Sequence, residues 1–434
     1  MLVKKIEIDY YQYQNKKGSI SGRVSDIRDH NKIIFANLIV RGTIIQMVLK
    51  SQFTENFEIV SKKIRYFNCC RINFFISKTE KNVVSLFVTR YINQTSSNVL
   101  RVSKINDLKI QNYRRDSVLR ALTRPSWWKI IFRRSKTITL IRRYFEDLNF
   151  LEFDTPTITR EFGGANSDPF VTVHNSTKKK YFLSVSPELD LKKLLAAGFE
   201  KIYTICKDFR NQKIDPTHYP EFLALEFYSQ GANYITTARL AEDLIKKIIN
   251  TYYPSFREFI VEPWQIIKFK DFIKDNSGIE LTAENILVKY DFLFNTQDLL
   301  EYWTCCANEK HHRGLEFLFL KVFDYLLKEK NKTFLFVKDF PSISTPLAIY
   351  NRDGTVKQIE LYFKDLELSN IYTENNQYQD LKLFEQDQYL GPQFLELIRR
   401  YSFNNAGGCG IGLDRLFSLL ERKQLQDILF YKEI

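Results

Sequence analysis

The chain has 434 residues, of which 44% are hydrophobic, so it is long enough to form more than one packed domain without covalent support. Its formal net charge of +13 exceeds what solubility requires and favours a polyanionic partner such as nucleic acid. Six cysteines without regular spacing argue against a disulfide framework, and no apolar run is long enough to span a membrane. The N-terminus lacks a secretory or transit signal, and we expect a reduced, cytoplasmic protein.

The first part of the chain, residues 18–91, consists of short strand-like segments separated by polar turns. β-Branched and aromatic residues are frequent in these segments, and their spacing is typical of a small barrel. We therefore predict a β-barrel domain over residues 1–95. The polar, irregular text that follows predicts a linker over residues 96–125.

Helical periodicity begins after this linker. Ile138, Ile141 and Phe145 fall on one helical face, Asn149 can end the helix, and FLEFDTP can extend as a strand to Pro156. Residues from around 240 to 332 are mostly helical in pattern, and the strand-like segments TFLFVKDFP and QIELYFKDLEL follow. The pattern predicts an α+β domain over residues 126–434 with a helical insertion around 240–332.

Two segments place single arginines where a polyanion can be bound. Arg210 lies in DFRNQKIDPTHYPEFLALEFY, where a hairpin-like loop carries His218 and leads to Phe222. Arg415 lies in GGCGIGLDRLFSLL, which predicts a glycine-rich turn that opens a helix. A planar guanidinium can bridge two oxyanions, Phe222 offers a flat apolar face for adenine, and a charged His218 can reach phosphate. The combination suits a nucleotide held beside a second, charged substrate.

These two segments resemble motifs 2 and 3 of the class II aminoacyl-tRNA synthetases, and the helix followed by FLEFDTP resembles motif 1. Within that family the surrounding residues are most similar to those of the lysyl-tRNA synthetases, which form a subclass with the aspartyl and asparaginyl enzymes. The resemblance implies an N-terminal OB-fold barrel that binds the anticodon, followed by a catalytic antiparallel sheet flanked by helices. It also implies ATP and Mg²⁺ as requirements and a homodimer built on motif 1.

The resemblance further implies the ATP site. Arg210 and Arg415 are its expected catalytic residues, and Glu360 and Glu367 match the carboxylates that hold Mg²⁺. On an unbroken strand the two glutamates would face opposite sides, so a bulge would be needed to bring them together. Gln212 stands where the family usually has a glutamate for the adenine amino group, and its amide oxygen can accept the same hydrogen bond. The expected ATP-binding residues are Arg210, Gln212, His218, Phe222, Glu360, Glu367 and Arg415.

The same resemblance implies a site for lysine. Glu188 matches the ligand of the substrate α-amino group, while Glu226 and Glu374 match the carboxylates that hold the ε-ammonium. Such a site rejects an acidic substrate, because a buried charge left unpaired costs ~3–5 kcal/mol. The expected lysine-binding residues are Gly164, Glu188, Arg210, Glu226, Tyr228, Asn370, Tyr372 and Glu374.

In the barrel, Arg28, Phe35 and Gln46 match residues that recognise the central uridine of the anticodon in this subclass. An exposed phenylalanine can stack on a base while polar side chains read the edge of that base. The alternative for Phe35 is an ordinary place in the barrel core.

The expected activity is that of a lysine–tRNA ligase, which makes lysyl-adenylate from lysine and ATP and then transfers lysine to the 3′-terminal ribose of tRNA(Lys). One alternative is an aspartyl- or asparaginyl-tRNA synthetase, although those relatives usually carry glutamine where Glu188 stands. The other is a catalytically decayed, synthetase-like RNA-binding protein, which the departures from the family at Gln212, Thr217 and Tyr219 would suit.

Overall fold

The computed structural model describes residues 13–40, 42–94, 117–165, 167–280, 282–295, 297–298, 311–382 and 390–431. The chain divides into two compact units, one of residues 1–134 and 429–434 and the other of residues 135–428. No described helix is long and apolar enough to cross a membrane. Much of the predicted linker, residues 96–116, lies outside the described residues.

The first unit contains a closed barrel of five strands in the order β1-β2-β3-β5-β4. Alternate residues of each strand face the interior, where Ile34, Ala36 and Leu38 of β2 are fully buried. Residues 117–123 of the predicted linker form a helix instead, because SVLRALT is rich in residues that favour helices. The elements are β1 Lys17–Asp29, β2 Ile33–Val40, β3 Thr43–Lys50, α1 Phe57–Lys63, β4 Cys69–Lys78, β5 Val84–Asn93, α2 Ser117–Thr123 and α3 Pro125–Asp147, whose last part belongs to the second unit.

The second unit is built on a sheet of eight strands in the order β12-β13-β14-β15-β16-β11-β10-β6, with a separate sheet β7-β9-β8. Its strands are β6 Leu151–Glu152, β7 Ile158–Thr159, β8 Val171–Val173, β9 Lys180–Leu183, β10 Lys201–Phe209, β11 Glu221–Gln230, β12 Gln265–Lys268, β13 Phe334–Phe340, β14 Val356–Phe363, β15 Leu366–Thr373 and β16 Ala406–Gly412. The predicted fold class, an α+β domain preceded by a small barrel, is confirmed.

Helices accompany this sheet along the chain. They are α4 Glu188–Ala196, α5 Tyr234–Tyr252, α6 Phe269–Ser277, α7 Ala283–Lys289, α8 His311–Lys330, α9 Tyr378–Lys382, α10 Pro392–Arg400, α11 Leu413–Glu421 and α12 Leu425–Ile428. The region predicted as a helical insertion also contains β12, which pairs in parallel with β13 and so belongs to the sheet.

The motif 1 helix packs by the face that its periodicity predicts. Ile141 and Phe145 of α3 are fully buried, and the Phe145 ring stacks on Tyr203 of β10 at 4.7 Å between centroids. Asn149 leaves the helical conformation with φ 60°, a backbone region that asparagine tolerates better than most residues. The predicted strand up to Pro156 is shorter than expected, since only Leu151 and Glu152 of this segment form a strand, β6, which pairs with β10.

The glycine-rich segment near the C-terminus was wrongly predicted as a turn, because it forms β16 between β15 and β11. A Cβ atom at Gly408 would lie 2.1 Å from Glu374 Oε1 and 2.3 Å from Cε1 of Tyr228. Glycine at this position therefore allows the neighbouring side chains to pack closely against the strand. The helix α11 begins only after Gly412.

The segment QIELYFKDLEL is likewise not one strand but the hairpin of β14 and β15. Lys364, with φ 57°, lies in the turn between them. Glu360 and Glu367 therefore stand on neighbouring strands, and their odd separation in sequence says nothing about opposite faces. A register shift between Leu361 and Tyr362 adjusts the pairing, so that Glu367 lies opposite Tyr362.

Candidate active site

A cavity of about 320 Å³ lies against the central strands of the eight-stranded sheet. Two rows of paired residues cross its floor, one through Glu226, Gly410 and Asn370 and the next through Tyr228, Gly408 and Tyr372. Because β16 contributes glycines to both rows, side chains from β11 and β15 approach each other across it. The cavity is thus created by a strand that lacks side chains on the occupied face.

Seven of the eight residues predicted to bind lysine line this cavity. They are Gly164, Glu188, Arg210, Glu226, Tyr228, Asn370 and Tyr372. The eighth, Glu374, is fully buried just beyond β15 and does not line the cavity directly. Its Oε1 is buried and has no hydrogen-bond partner among the described residues. The structure therefore brings the predicted amino-acid site together and leaves a buried acceptor beside it.

Glu226 is held rigidly in the cavity wall. Ser186 Oγ donates a hydrogen bond to its Oε1 at 3.1 Å, and the Tyr228 hydroxyl donates to Oε2 at 3.0 Å. Burial raises the pKa of Glu226 well above the usual range, and the charges of Asp208 and Glu188 raise it further. A bound ammonium group would offset this excess of negative charge and stabilise the ionised carboxylate.

Lys192 of α4 already contributes one ammonium group to this region. Its Nζ lies 2.6 Å from Glu188 Oε1 and 2.7 Å from Glu374 Oε2, and the lysine is fully buried. Burial raises the pKa of Glu374 to about 7, with the charge of Lys192 acting in the opposite direction and that of Glu188 adding to the rise.

The other end of the cavity carries the predicted nucleotide ligands. Arg210, Phe222 and Arg415 line it and also border a smaller recess of about 60 Å³, which contains Gln212 and His218. The Arg210 guanidinium lies 5.1 Å from the Phe222 ring centroid, and its Nε donates to the Val185 carbonyl at 3.3 Å. Two arginines and an aromatic face at one opening suit a base joined to a chain of phosphates.

His218 connects Arg415 with Asp215 in the predicted nucleotide region. Arg415 Nη2 lies 2.9 Å from His218 Nε2, and His218 Nδ1 lies 2.8 Å from Asp215 Oδ2. A guanidinium can only donate, so Nε2 must accept and the ring proton must sit on Nδ1, facing the carboxylate. Asp215 thereby orients the histidine toward Arg415.

The two predicted metal ligands occupy different depths. Glu367 lines the cavity and lies 3.5 Å from Arg415 Nη1. Glu360 lies behind it and accepts hydrogen bonds from Gln358 Nε2 at 2.6 Å and from the Tyr362 hydroxyl. Burial raises the pKa of Glu360 well above the usual range, and the charge of Glu367 adds to the rise. Two carboxylates that repel one another beside a phosphate region form a donor set that fits a hard divalent cation such as Mg²⁺.

Comparison with known proteins identifies the family. Residues 110–433 match the family model described as tRNA synthetases class II (D, K and N). The chain belongs to this family. It is 30% identical to lysine–tRNA ligase 2 of Methanosarcina mazei, over all of this chain and 88% of the relative. It is 30% identical to the lysine–tRNA ligase of Methanospirillum hungatei, over 92% and 82%, and 28% identical to that of Aquifex aeolicus, over 96% and 72%. The predicted family is confirmed, and membership implies the use of ATP.

Some residues of this class II synthetase site were missed by the sequence reasoning. Asp414 is buried next to Arg415, and its Oδ2 accepts a hydrogen bond from the Leu223 backbone N–H at 2.8 Å, which ties α11 to β11. Asp208 and Ser186 line the cavity beside the glutamates. Lys192 had a signal in the sequence, because it follows Glu188 by four residues and therefore faces it on a helix.

The three predicted anticodon-binding residues of the synthetase lie on one outer face of the barrel. Arg28 is paired directly with Phe35 across β1 and β2, with its Cζ 6.0 Å from the ring centroid. Phe35 is half-buried and outside the barrel core, since its neighbours Ile34 and Ala36 point inward. Gln46 is on the same face of β3 and accepts a hydrogen bond from Ser85 Oγ at 2.8 Å.

Proposed function

We propose that this protein is a lysine–tRNA ligase that activates L-lysine with ATP and transfers it to the 3′-terminal ribose of tRNA(Lys). The observation that carries the proposal is the set of three glutamates, Glu188, Glu226 and Glu374, gathered at the end of the cavity opposite the arginine-lined recess. Relatives named lysine–tRNA ligase align over nearly the whole chain and support the same substrate.

Activation requires little from the protein besides position and charge. The substrate carboxylate attacks the α-phosphorus of ATP, a bond to that phosphorus forms, and the bond to pyrophosphate breaks. The carboxylate is already ionised, so no general base is needed. Arg210 holds the carboxylate and α-phosphate together, while Arg415, oriented by His218, receives the terminal phosphates. Phe222 holds the adenine face, and the Gln212 amide oxygen accepts from the adenine amino group.

Glu360 and Glu367 would hold Mg²⁺, whose charge would offset that of the departing pyrophosphate. Arg415 lies against Glu367, which keeps the guanidinium beside the expected position of the phosphates. Glu360 is buried and hydrogen-bonded by Gln358 and Tyr362, so its carboxylate is held in one orientation.

Recognition of tRNA falls to the barrel. Phe35 stacks on an anticodon base, while Arg28 and Gln46 read its edge and hold the backbone. The net charge of +13 favours association with the tRNA phosphates. By its resemblance to motif 1, the segment of α3 and β6 forms a homodimer interface. The proposed role in translation places the protein in the cytoplasm.

The test is amino-acid-dependent exchange between ATP and pyrophosphate with Mg²⁺ and without tRNA. We expect exchange with lysine and none with aspartate or asparagine, and loss of exchange by at least about 100-fold in Arg210→Ala, which removes a transition-state contact. Exchange with aspartate or asparagine instead would refute the lysine site. No exchange with any amino acid, together with retained tRNA binding, would establish the RNA-binding alternative.

A further inference from the structure

Lys192 is buried in the wall of the amino-acid site and bridges two elements. Its ammonium contacts Glu188 one turn earlier on α4, at 2.6 Å, and Glu374 beyond the end of β15, at 2.7 Å. The ring centroid of Phe394 lies 5.9 Å from the same nitrogen. Burial alone lowers the pKa of Lys192, but the charges of Glu188 and Glu374 outweigh it and raise that pKa to about 12. The lysine is therefore a permanent cation.

A buried cation between two carboxylates is costly to form unless all three groups stay paired. An apolar side chain in its place would pack against Phe394 without that cost, so stability of α4 alone does not explain a lysine. The two carboxylates that it joins are those expected to receive the two ammonium groups of the substrate. This coincidence points to a role in binding the substrate.

Charge balance indicates what that role is. Glu188, Glu226 and Glu374 bring three negative charges, and the Lys192 ammonium cancels one of them. Two negative charges remain, which matches the α-ammonium and ε-ammonium groups of lysine. Asp208 also lines the cavity beside the glutamates, but its negative charge is balanced by the nearby Arg210. Burial raises the pKa of Asp208 to about 7, and the charge of Arg210 acts in the opposite direction. A substrate with one ammonium group would leave a buried carboxylate unpaired.

We propose that Lys192 is a positioning residue of the amino-acid site, which holds Glu188 and Glu374 in place, favours the ionised form of Glu374 and sets the net charge of the site to match a diamino acid. This inference rests on the proposed lysine activation and adds a residue to it. Lys192 does not touch the substrate in this scheme. It acts through the two carboxylates that do.

Removal of Lys192 should change the pH dependence of lysine binding. Burial and the charge of Glu188 already raise the pKa of Glu374 to about 7, and without the ammonium that opposes them this pKa rises further, so Glu374 is protonated at neutral pH. A protonated carboxyl group no longer pairs with a substrate ammonium, so KM for lysine is higher in the variant than in the wild type at neutral pH. The KM of the variant then falls as the pH increases and the carboxyl group ionises. The other titratable groups around the pair supply no positive charge. Glu226 and Asp208 are further carboxyl groups, and burial raises the pKa of Tyr228, Tyr372 and Cys409, which stay neutral.

The experiment compares Lys192→Met with Lys193→Met in lysine-dependent exchange of ATP and pyrophosphate from pH 6 to 8.5. Lys193 is the matched control, because it is the next residue of α4 but is largely exposed and pairs with Asp190 on the surface. At pH 7 we expect KM for lysine to rise about 100-fold in Lys192→Met, as for the loss of one partner of a buried pair, with KM for ATP unchanged. The midpoint of its pH dependence should move to higher pH.

Two further variants separate this role from a loss of folding. Lys192→Gln tests the same charge removal with a polar side chain if the methionine variant does not fold. Lys192→Arg keeps the charge, and its pH midpoint should stay at the wild-type position even if kcat falls. A KM for lysine in folded Lys192→Met or Lys192→Gln that matches Lys193→Met at every pH would overturn the proposal. Absence of lysine-dependent exchange in the wild type would instead overturn lysine activation itself, and this inference with it.

Discussion

In the proposed nucleotide region, Asp215 acts on Arg415 through its hydrogen bond to His218. Thr217, one of the departures from the family named above, helps to hold the loop. Asp215 accepts hydrogen bonds from the backbone and hydroxyl of Thr217 and from the backbone of His218. Burial raises the pKa of Asp215, but the hydrogen bonds from Thr217 and His218 together outweigh it and lower that pKa to about 2. The residue is therefore ionised at every pH where the enzyme works, and it fixes the orientation of His218 toward Arg415.

Asp215→Asn should weaken ATP binding without affecting lysine binding. The amide removes the charge that holds the His218 Nδ1 proton, so the ring loses its preferred orientation toward Arg415. We expect KM for ATP to rise roughly 5- to 20-fold, as for the loss of one charge-assisted hydrogen bond. Steady-state exchange with ATP and lysine varied separately measures both constants. A rise of KM for lysine by the same factor would contradict a role confined to the nucleotide.

Among the elements, β16 has the largest influence on the site. Its neighbours β11 and β15 carry Glu226, Tyr228, Asn370 and Tyr372 of the proposed amino-acid site, and the glycines of β16 let those side chains meet. The glycines are not equivalent. An added Cβ would collide with Glu374 Oε1 and Tyr228 at Gly408, but at Gly410 it would meet Glu226 Cγ at 3.7 Å, an ordinary contact.

Gly408→Ala should therefore abolish lysine activation, while Gly410→Ala serves as the matched control on the same strand. The first change displaces a carboxylate and a ring that are both fully packed, and a shift of about 1 Å in such a site costs on the order of 100-fold in rate. The second should lose less than about tenfold, because no neighbour must move. Exchange rates together with thermal melting of both variants check this, and equal losses in the two would refute the packing argument.

The whole molecule consists of two compact units, to which the proposed function gives separate tasks. The barrel presents Arg28, Phe35 and Gln46 on one face, whereas the residues of the proposed amino-acid and nucleotide sites all belong to residues 135–428. Activation of lysine and recognition of the anticodon should therefore be separable by mutation.

Phe35→Ala should lower the efficiency of tRNA charging by roughly 5- to 100-fold, as for the loss of one stacked base, and leave exchange without tRNA unchanged. Ile59→Ala is the control, since Ile59 is an exposed apolar residue of α1 in the same unit. Higher salt should weaken tRNA binding steeply through counterion release. Equal loss of exchange and charging in Phe35→Ala would be evidence against stacking.

Much of the site could be predicted because its residues occur in distinctive local sequence motifs. Arg210, Phe222 and Glu226 stand at fixed places around one loop, and the structure brings all three to the cavity. Predictions failed where the local sequence is compatible with either a turn or a strand. A glycine run suits a turn as well as a crowded central strand, and KD between apolar residues suits a strand as well as the hairpin turn at Lys364.

The order and chemical type of the charged residues are enough to identify a class II synthetase and to predict a lysine substrate, because those properties are local and survive at 30% identity. The pairing of charges is not local. Lys192 meets Glu374, and Asp414 meets Leu223, only through the register of strands and helices far apart in the chain. Burial then decides the energies, since the same carboxylates in water would neither repel each other strongly nor need a buried ammonium.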